Sequence, residues 1–216
     1  MLMPLSVYAL TTFNYEGDVT TIDEYDGTNR ITNAGFSLGD TFSITLQFDE
    51  TAANTATQDY LGNYSAIENF TISNSEYTTT GISSSPDVDI IVWDNISPSN
   101  VDSFTAFSDF NSSPYIPGLG NDRIYLRFKD NSSAHDNTIF GSTGLPIEPL
   151  DPNNFAYASA IIEWTEWVDE EYDWIYNSLY ISNLRVVNNS VPEPATMLLL
   201  GFGLMCLAGI RRKLQG

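Results

Sequence analysis

The stretch Phe36–Phe48, FSLGDTFSITLQF, decides the fold. Its even positions Phe36, Leu38, Phe42, Ile44, Leu46 and Phe48 are apolar, while Ser43, Thr45 and Gln47 fill the odd places between the last four. An apolar residue at every second place turns one face of an extended chain into a core and leaves the other in water, whereas a helix needs spacings of three and four. Asp40, next to Gly39, places a turn inside the stretch.

The same beat recurs on either side. It runs through Phe13, Tyr15 and Val19; through Val88, Ile90 and Val92; through Ile124, Leu126 and Phe128 against Arg123, Tyr125, Arg127 and Lys129; and more raggedly through Leu179–Val187. Clusters such as YDGTN, DNISPSN, NSSPYIPGLGND, DNSSAHDN and LDPNN separate these runs and supply turn chemistry. Asp49–Asp59, DETAANTATQD, is compatible with a short helix, and no long amphipathic helix is visible. Several strands with regular turn signals and no helical crossovers predict an all-β fold, an antiparallel β-sandwich of jelly-roll type, in preference to an open α/β sheet. The length of 216 residues suits one domain, which the pattern places at residues 10–188.

Charge narrows the partners. The formal balance is -20, from 28 acids and eight bases, and it is unevenly spread. Arg211, Arg212 and Lys213 stand at the C-terminal end, so residues 1–190 hold five bases against 27 acids, a balance of -22. Such a body repels phosphate backbones and excludes nucleic acid as a partner.

The C-terminal segment is of another kind. Residues 195–210 carry no charge and are apolar on every face, interrupted only by small residues, and the basic triplet follows. At 1.5 Å per residue this run spans about 24 Å against about 30 Å of hydrocarbon, short for a permanent anchor. The basic end stays cytoplasmic by the positive-inside rule, so the acidic body lies outside. Ahead of the run, Pro192 and Pro194 keep an extended linker that can join neither helix nor sheet. A single short C-terminal transmembrane helix that acts as a sorting signal accounts for this layout. At the other end, MLMPLSVYA is apolar and closes on Val7-Tyr8-Ala9, which fits either the remnant of a signal peptide over residues 1–9 or an N-terminal strand.

Val191, Pro192, Glu193, Pro194, Ala195 and Thr196, then the hydrophobic run, then Arg211, Arg212 and Lys213, together resemble the PEP-CTERM sorting signal of Gram-negative bacteria that make exopolysaccharide. The order of the three parts carries the likeness, which covers residues 189–216. The resemblance implies recognition and removal of the tail by exosortase, a membrane cysteine protease. It also implies transient anchoring in the inner membrane, followed by delivery to the cell envelope, surface or extracellular matrix. Looser likeness to other such proteins lies in the early Phe13-x-Tyr15-x-Gly17, in GDTFSITLQFD and in LYISNLRVV ahead of the signal.

Catalytic signals are sparse. His135 is the only histidine and sits in a polar loop where a solvated histidine is commonplace, and Cys206, the only cysteine, lies in the hydrophobic run, so the usual Ser-His, Cys-His and His-rich zinc arrangements are nearly excluded. Glu163 and Glu166 could form a glycosidase pair, but positions three apart on one strand face opposite ways. No catalytic residue is assigned. Around them, Trp164, Trp167, Tyr172 and Trp174 alternate with carboxylates and form either a glycan-contact face or part of the core. Asp130, Asp136 and Asp151 offer oxygen ligands for calcium, or simply turn chemistry, since neither of their loops has EF-hand spacing. The sequence thus predicts a non-enzymatic exported surface or matrix protein with exosortase, the membrane and exopolysaccharide as partners and calcium as candidate ion. The alternative is a secreted glycoside hydrolase bearing the same tail.

Overall fold

The computed structural model of the chain describes residues 10–24, 29–82, 90–94, 102–113, 123–130, 142–168 and 173–187. They form ten strands: β1 (Leu10–Asp23), β2 (Thr41–Asp49), β3 (Leu61–Tyr64), β4 (Ile67–Ser73), β5 (Thr78–Ile82), β6 (Ile90–Trp93), β7 (Ser103–Ser113), β8 (Arg123–Lys129), β9 (Tyr157–Val168) and β10 (Asp173–Val186). One four-residue helix, α1 (Arg30–Asn33), and a 3₁₀ turn at Pro152–Asn154 accompany them. The proposed leader at 1–9 and the linker and helix beyond residue 188 lie outside the described residues.

The antiparallel all-β body expected from the sequence is present, and its two faces belong to one sheet in place of two. The strand order is β3-β6-β7-β5-β4-β2-β1-β10-β9-β8, and a further pairing joins β7 to β8 so that the sheet curls on itself. β7 makes this possible through its length of 11 residues. One edge bonds β8 from Ser103 to Asp109. The other edge bonds β6 over Ser103–Ala106 and β5 over Asp109–Ser113.

Alternation then fills the inside. On β2, Phe42, Ile44, Leu46 and Phe48 are fully buried, as are Phe13 of β1, Phe70 and Ile72 of β4, Phe104 of β7, Ile124, Leu126 and Phe128 of β8 and Ile162 of β9. The Phe13 ring meets Phe48 edge-on at 5.1 Å and reaches Phe104 at 6.5 Å, and Tyr15 meets Phe128 at 5.5 Å. Offset and edge-to-face pairs of this kind add to the burial of the rings themselves.

The ends of the curled sheet are closed by loops. At one end the α1 segment inserts Ile31 and Phe36, and Phe36 packs on Phe42, Tyr77 and Trp164. At the other, Phe155 packs on Phe128 while the Tyr15 hydroxyl donates to the Leu150 carbonyl at 3.1 Å.

Three local expectations are corrected. Leu38, read as part of the apolar face, is 67% exposed, because Gly39 at φ 90° turns the chain ahead of β2 and Asp40 accepts from the Ser37 amide. Asp49–Asp59 is not helical: the Asp49 carboxylate accepts from the Thr51 amide and hydroxyl, Asn54 from the Ala56 and Asn63 amides, and these local bonds replace a helical ladder. The ragged beat of β10 is a bulge. Leu179 and Ile181 face inward, Asn183 takes φ 52°, and Leu184 resumes the inward face with the opposite parity.

Gly17 of β1 lies across from that bulge. A Cβ there would come within 2.8 Å of the Ser182 carbonyl oxygen and closer still to Leu184. Gly17→Ala is therefore expected to lower the thermal midpoint, since backbone as well as side chain must shift. Phe13→Ala, which empties the junction of β1, β2 and β7, is expected to cost about 3–5 kcal/mol in denaturant unfolding. A Phe13→Ala loss below 1 kcal/mol would mean the rings do not hold the two sides of the sheet together.

Candidate sorting signal and ligand-contact residues

The last described strand sets where the C-terminal signal begins. β10 lies between β1 and β9, paired with β1 from Tyr15↔Val186 to Asp23↔Ser178 and with β9 from Ile181↔Ala160 to Asp173↔Val168. The final described bond is from the Val187 amide to the Asn14 carbonyl at 2.9 Å. Arg185 adds an exposed ion pair to Glu16 at 3.2 Å and lies 3.6 Å from Asp18. Leu10 starts β1 beside this point, so the described chain enters and leaves at the same end of the sheet.

The aromatic segment divides. Trp164 is 1% exposed and belongs to the core, 6.3 Å from Phe36 and 6.4 Å from Tyr77. The inward parity of β9 explains this, since Ile162 and Ala160 point the same way. The register sets Trp167 opposite Trp174 along the backbone, but the side chains of Trp167 and Trp174, like Tyr172 altogether, lie outside what is described. Tyr176 is exposed.

Glu163 is outward and half-buried, and its carboxylate accepts from the Tyr125 hydroxyl at 3.3 Å. Burial first, and the Glu163 charge second, hold the Tyr125 phenol above its ordinary value. The side chain of Glu166 lies outside the described residues.

Of the candidate calcium ligands, Asp151 is spent as a cap: its Oδ1 accepts from the Asn153 amide at 3.0 Å and from Asn153 Nδ2 at 2.8 Å, which forms the 3₁₀ turn. Asp130 is buried after β8, its amide bonded to the Asp102 carbonyl at 2.9 Å. Asp136 lies outside the described residues, as does His135. Among the described residues no group of three or more His, Cys, Asp or Glu is placed to hold a metal ion. Nor, among them, is any helix long and apolar enough to cross a membrane.

One carboxylate was not singled out in the sequence. Asp94 follows β6, and burial first, then the charge of Asp102, raise its pKa above the usual aspartate value. Alternation could have flagged it: Asp94 and Asp102 each fall on the inward beat of their strand, where an acid is unexpected.

The family model of the PEP-CTERM protein-sorting motif matches residues 190–213. It covers Val191 to Thr196, the apolar run and Arg211 to Lys213, and begins three residues past the last bonded residue of the sheet. The chain thus carries the address of an exported protein that is anchored at the membrane and handled by exosortase. No curated protein and no solved structure matches the chain.

The Asp94 environment generates a pH prediction. A carboxyl whose folded-state pKa is raised binds its proton more tightly when folded, so it contributes stability at low pH that is lost as pH rises through the folded-state value. Asp94→Asn removes that loss. Its thermal midpoint is expected to exceed that of the parent at pH 7, with the gap closing toward pH 3. A variant less stable than the parent at pH 7 would mean that the carboxylate makes a net favourable contact.

Proposed function

We propose that this protein is an exported, non-enzymatic component of the cell surface or extracellular matrix, released or fixed there after exosortase acts on its tail. Its curled sheet contributes to an exopolysaccharide-rich layer through contact with glycans, with calcium as a further candidate ligand. The observation that carries the reading is the sorting motif at residues 190–213, placed directly after a strand locked between two others.

Two features support it physically. A cleavage site at Pro192–Pro194 needs an extended backbone free of sheet and helix bonds, and two prolines within three residues supply it. Because Leu10 and Val187 lie at one end of the sheet, a leader and an anchor can sit in the same bilayer while the body stands clear of it.

The glycoside hydrolase alternative requires a second carboxyl about 5–9 Å from Glu163. Glu163 accepts a hydrogen bond from the Tyr125 hydroxyl on the outer face of the sheet, an arrangement that also suits a structural acid. Hydrolysis of a polysaccharide that is abolished by Glu163→Gln would reinstate the enzyme.

The intact mass of the protein recovered from its host tests the main reading. A product ending near Pro194, replaced by the full tail in a strain lacking exosortase, is expected. A mass that retains Arg211–Lys213 in both strains would refute sorting by that route.

A further inference from the structure

We infer that the groove on the outer face of β6, β7 and β8, bordered by Tyr157 at the start of β9, is a binding site for an acidic polysaccharide, one whose sugars carry carboxylate groups. The inference deepens the glycan contact proposed above and rests on that reading for its ligand class, though not on the sorting step.

Of the five cations in residues 1–190, three lie within seven residues on β8: Arg123, Arg127 and Lys129. All three are on the outward beat, since Ile124, Leu126 and Phe128 between them are fully buried. Positions two apart on a strand are about 7 Å apart, so Arg127 and Lys129 form a row along the strand. Arg123 is paired with Asp109 at 3.4 Å, and Arg185, elsewhere, with Glu16. Arg127 and Lys129 have no carboxylate within ion-pair distance among the described residues. In a body with a balance of -22, two neighbouring outward cations with no carboxylate at ion-pair distance among the described residues are not what mixing of charges would produce.

The register places apolar and hydroxyl groups around them. One row across the sheet is Trp93, Ser103, Lys129 and Tyr157; the next is Ile91, Thr105 and Arg127. Ile91, Ser103, Thr105, Arg127, Lys129 and Tyr157 border a groove of about 540 Å³. Tyr157 is 40% exposed, and Trp93 is stacked with the exposed Tyr60 at 6.3 Å, nearly parallel. The Arg127 guanidinium lies over the Tyr125 ring, 4.2 Å from its centroid, a cation–π contact that positions it on this face.

Each group answers one part of an acidic sugar. Aromatic rings accept the C–H face of a pyranose, Ser103 and Thr105 exchange hydrogen bonds with its hydroxyls, and Arg127 and Lys129 pair with its carboxylates. A neutral glycan leaves the cations unused. A phospholipid surface would use the cations but offers no pyranose face to the rings, and the vesicle and DNA comparators separate a carboxylated sugar from other polyanions.

The test uses the full-length chain in a non-ionic detergent, with polygalacturonate as the probe. Carboxyl-reduced polygalacturonate, phosphatidylglycerol vesicles and single-stranded DNA serve as comparators. Polygalacturonate is expected to bind, to weaken as salt rises, and to lose about tenfold or more in affinity in the Arg127→Gln, Lys129→Gln double variant. Both substitutions are on the outer face, and an unchanged thermal midpoint checks that the variant folds. Tyr157→Ala is expected to weaken the same binding while leaving the charges in place. Equal affinity for the reduced polymer, preference for vesicles or DNA, or a double variant that binds like the parent would each overturn the assignment. Processing by exosortase is scored separately by intact mass, so a failure of sorting and a failure of binding are told apart.

Discussion

The pairing of β1 with β10 is the constraint on which the rest depends. It joins residues 169 apart, as in the Arg185–Glu16 contact, and seats the last strand between β1 and β9. Without it, β8, β9 and β10 would be tied to the other strands through β7 alone, and the sheet would stand open between β1 and β10. Closure of so long a loop is entropically costly before any contact is gained, which makes folding dependent on non-local pairing and slow for a chain of this size. The aromatic rings gathered at Phe13, Phe48, Phe104 and Phe128 supply the compensating burial.

That same pairing dictates small features that would otherwise look arbitrary. Gly17 is needed where β10 bulges at Asn183, and the parity change across the bulge lets both Ile181 and Leu184 face the core. It also brings the two ends of the described chain together, which links the fold to its delivery: the sorting motif begins just beyond a strand that cannot slip. On the far side of the sheet, the length of β7 closes the curl and lines up Trp93, Ser103, Lys129 and Tyr157 in one row. Fold closure and the cationic groove are therefore products of one strand.

Much of this was legible in the residues. Alternation named the inward residues of β1, β2 and β8 and, at Ile90 and Val92, of β6, with Arg123, Arg127 and Lys129 on the other face of β8, because the period of two is a property of the backbone itself; Tyr125, expected on that wet face, is buried there. The sorting tail was legible for a different reason: it is read by another protein as a linear sequence, so its order of Pro-Glu-Pro, apolar run and basic triplet needs no tertiary context. Trp164 was not legible. Its alternation with carboxylates is the same whether the ring faces water or the core, and only the plug made by Phe36 and Tyr77 decides the matter.

By itself, then, the sequence determined which residues of each strand are inward, that the strands are antiparallel, and that the chain carries an export address. These follow from local periodicity, turn chemistry and a linear signal. The tertiary structure alone decided that the sheet is one and curled, that residues 49–59 form bonded turns instead of a helix, and that Arg127 and Lys129 are left facing a groove bordered by Tyr157. The reason is that partner choice between strands is set by long-range packing and loop closure, and a pattern of period two is equally satisfied by every partner with a matching face.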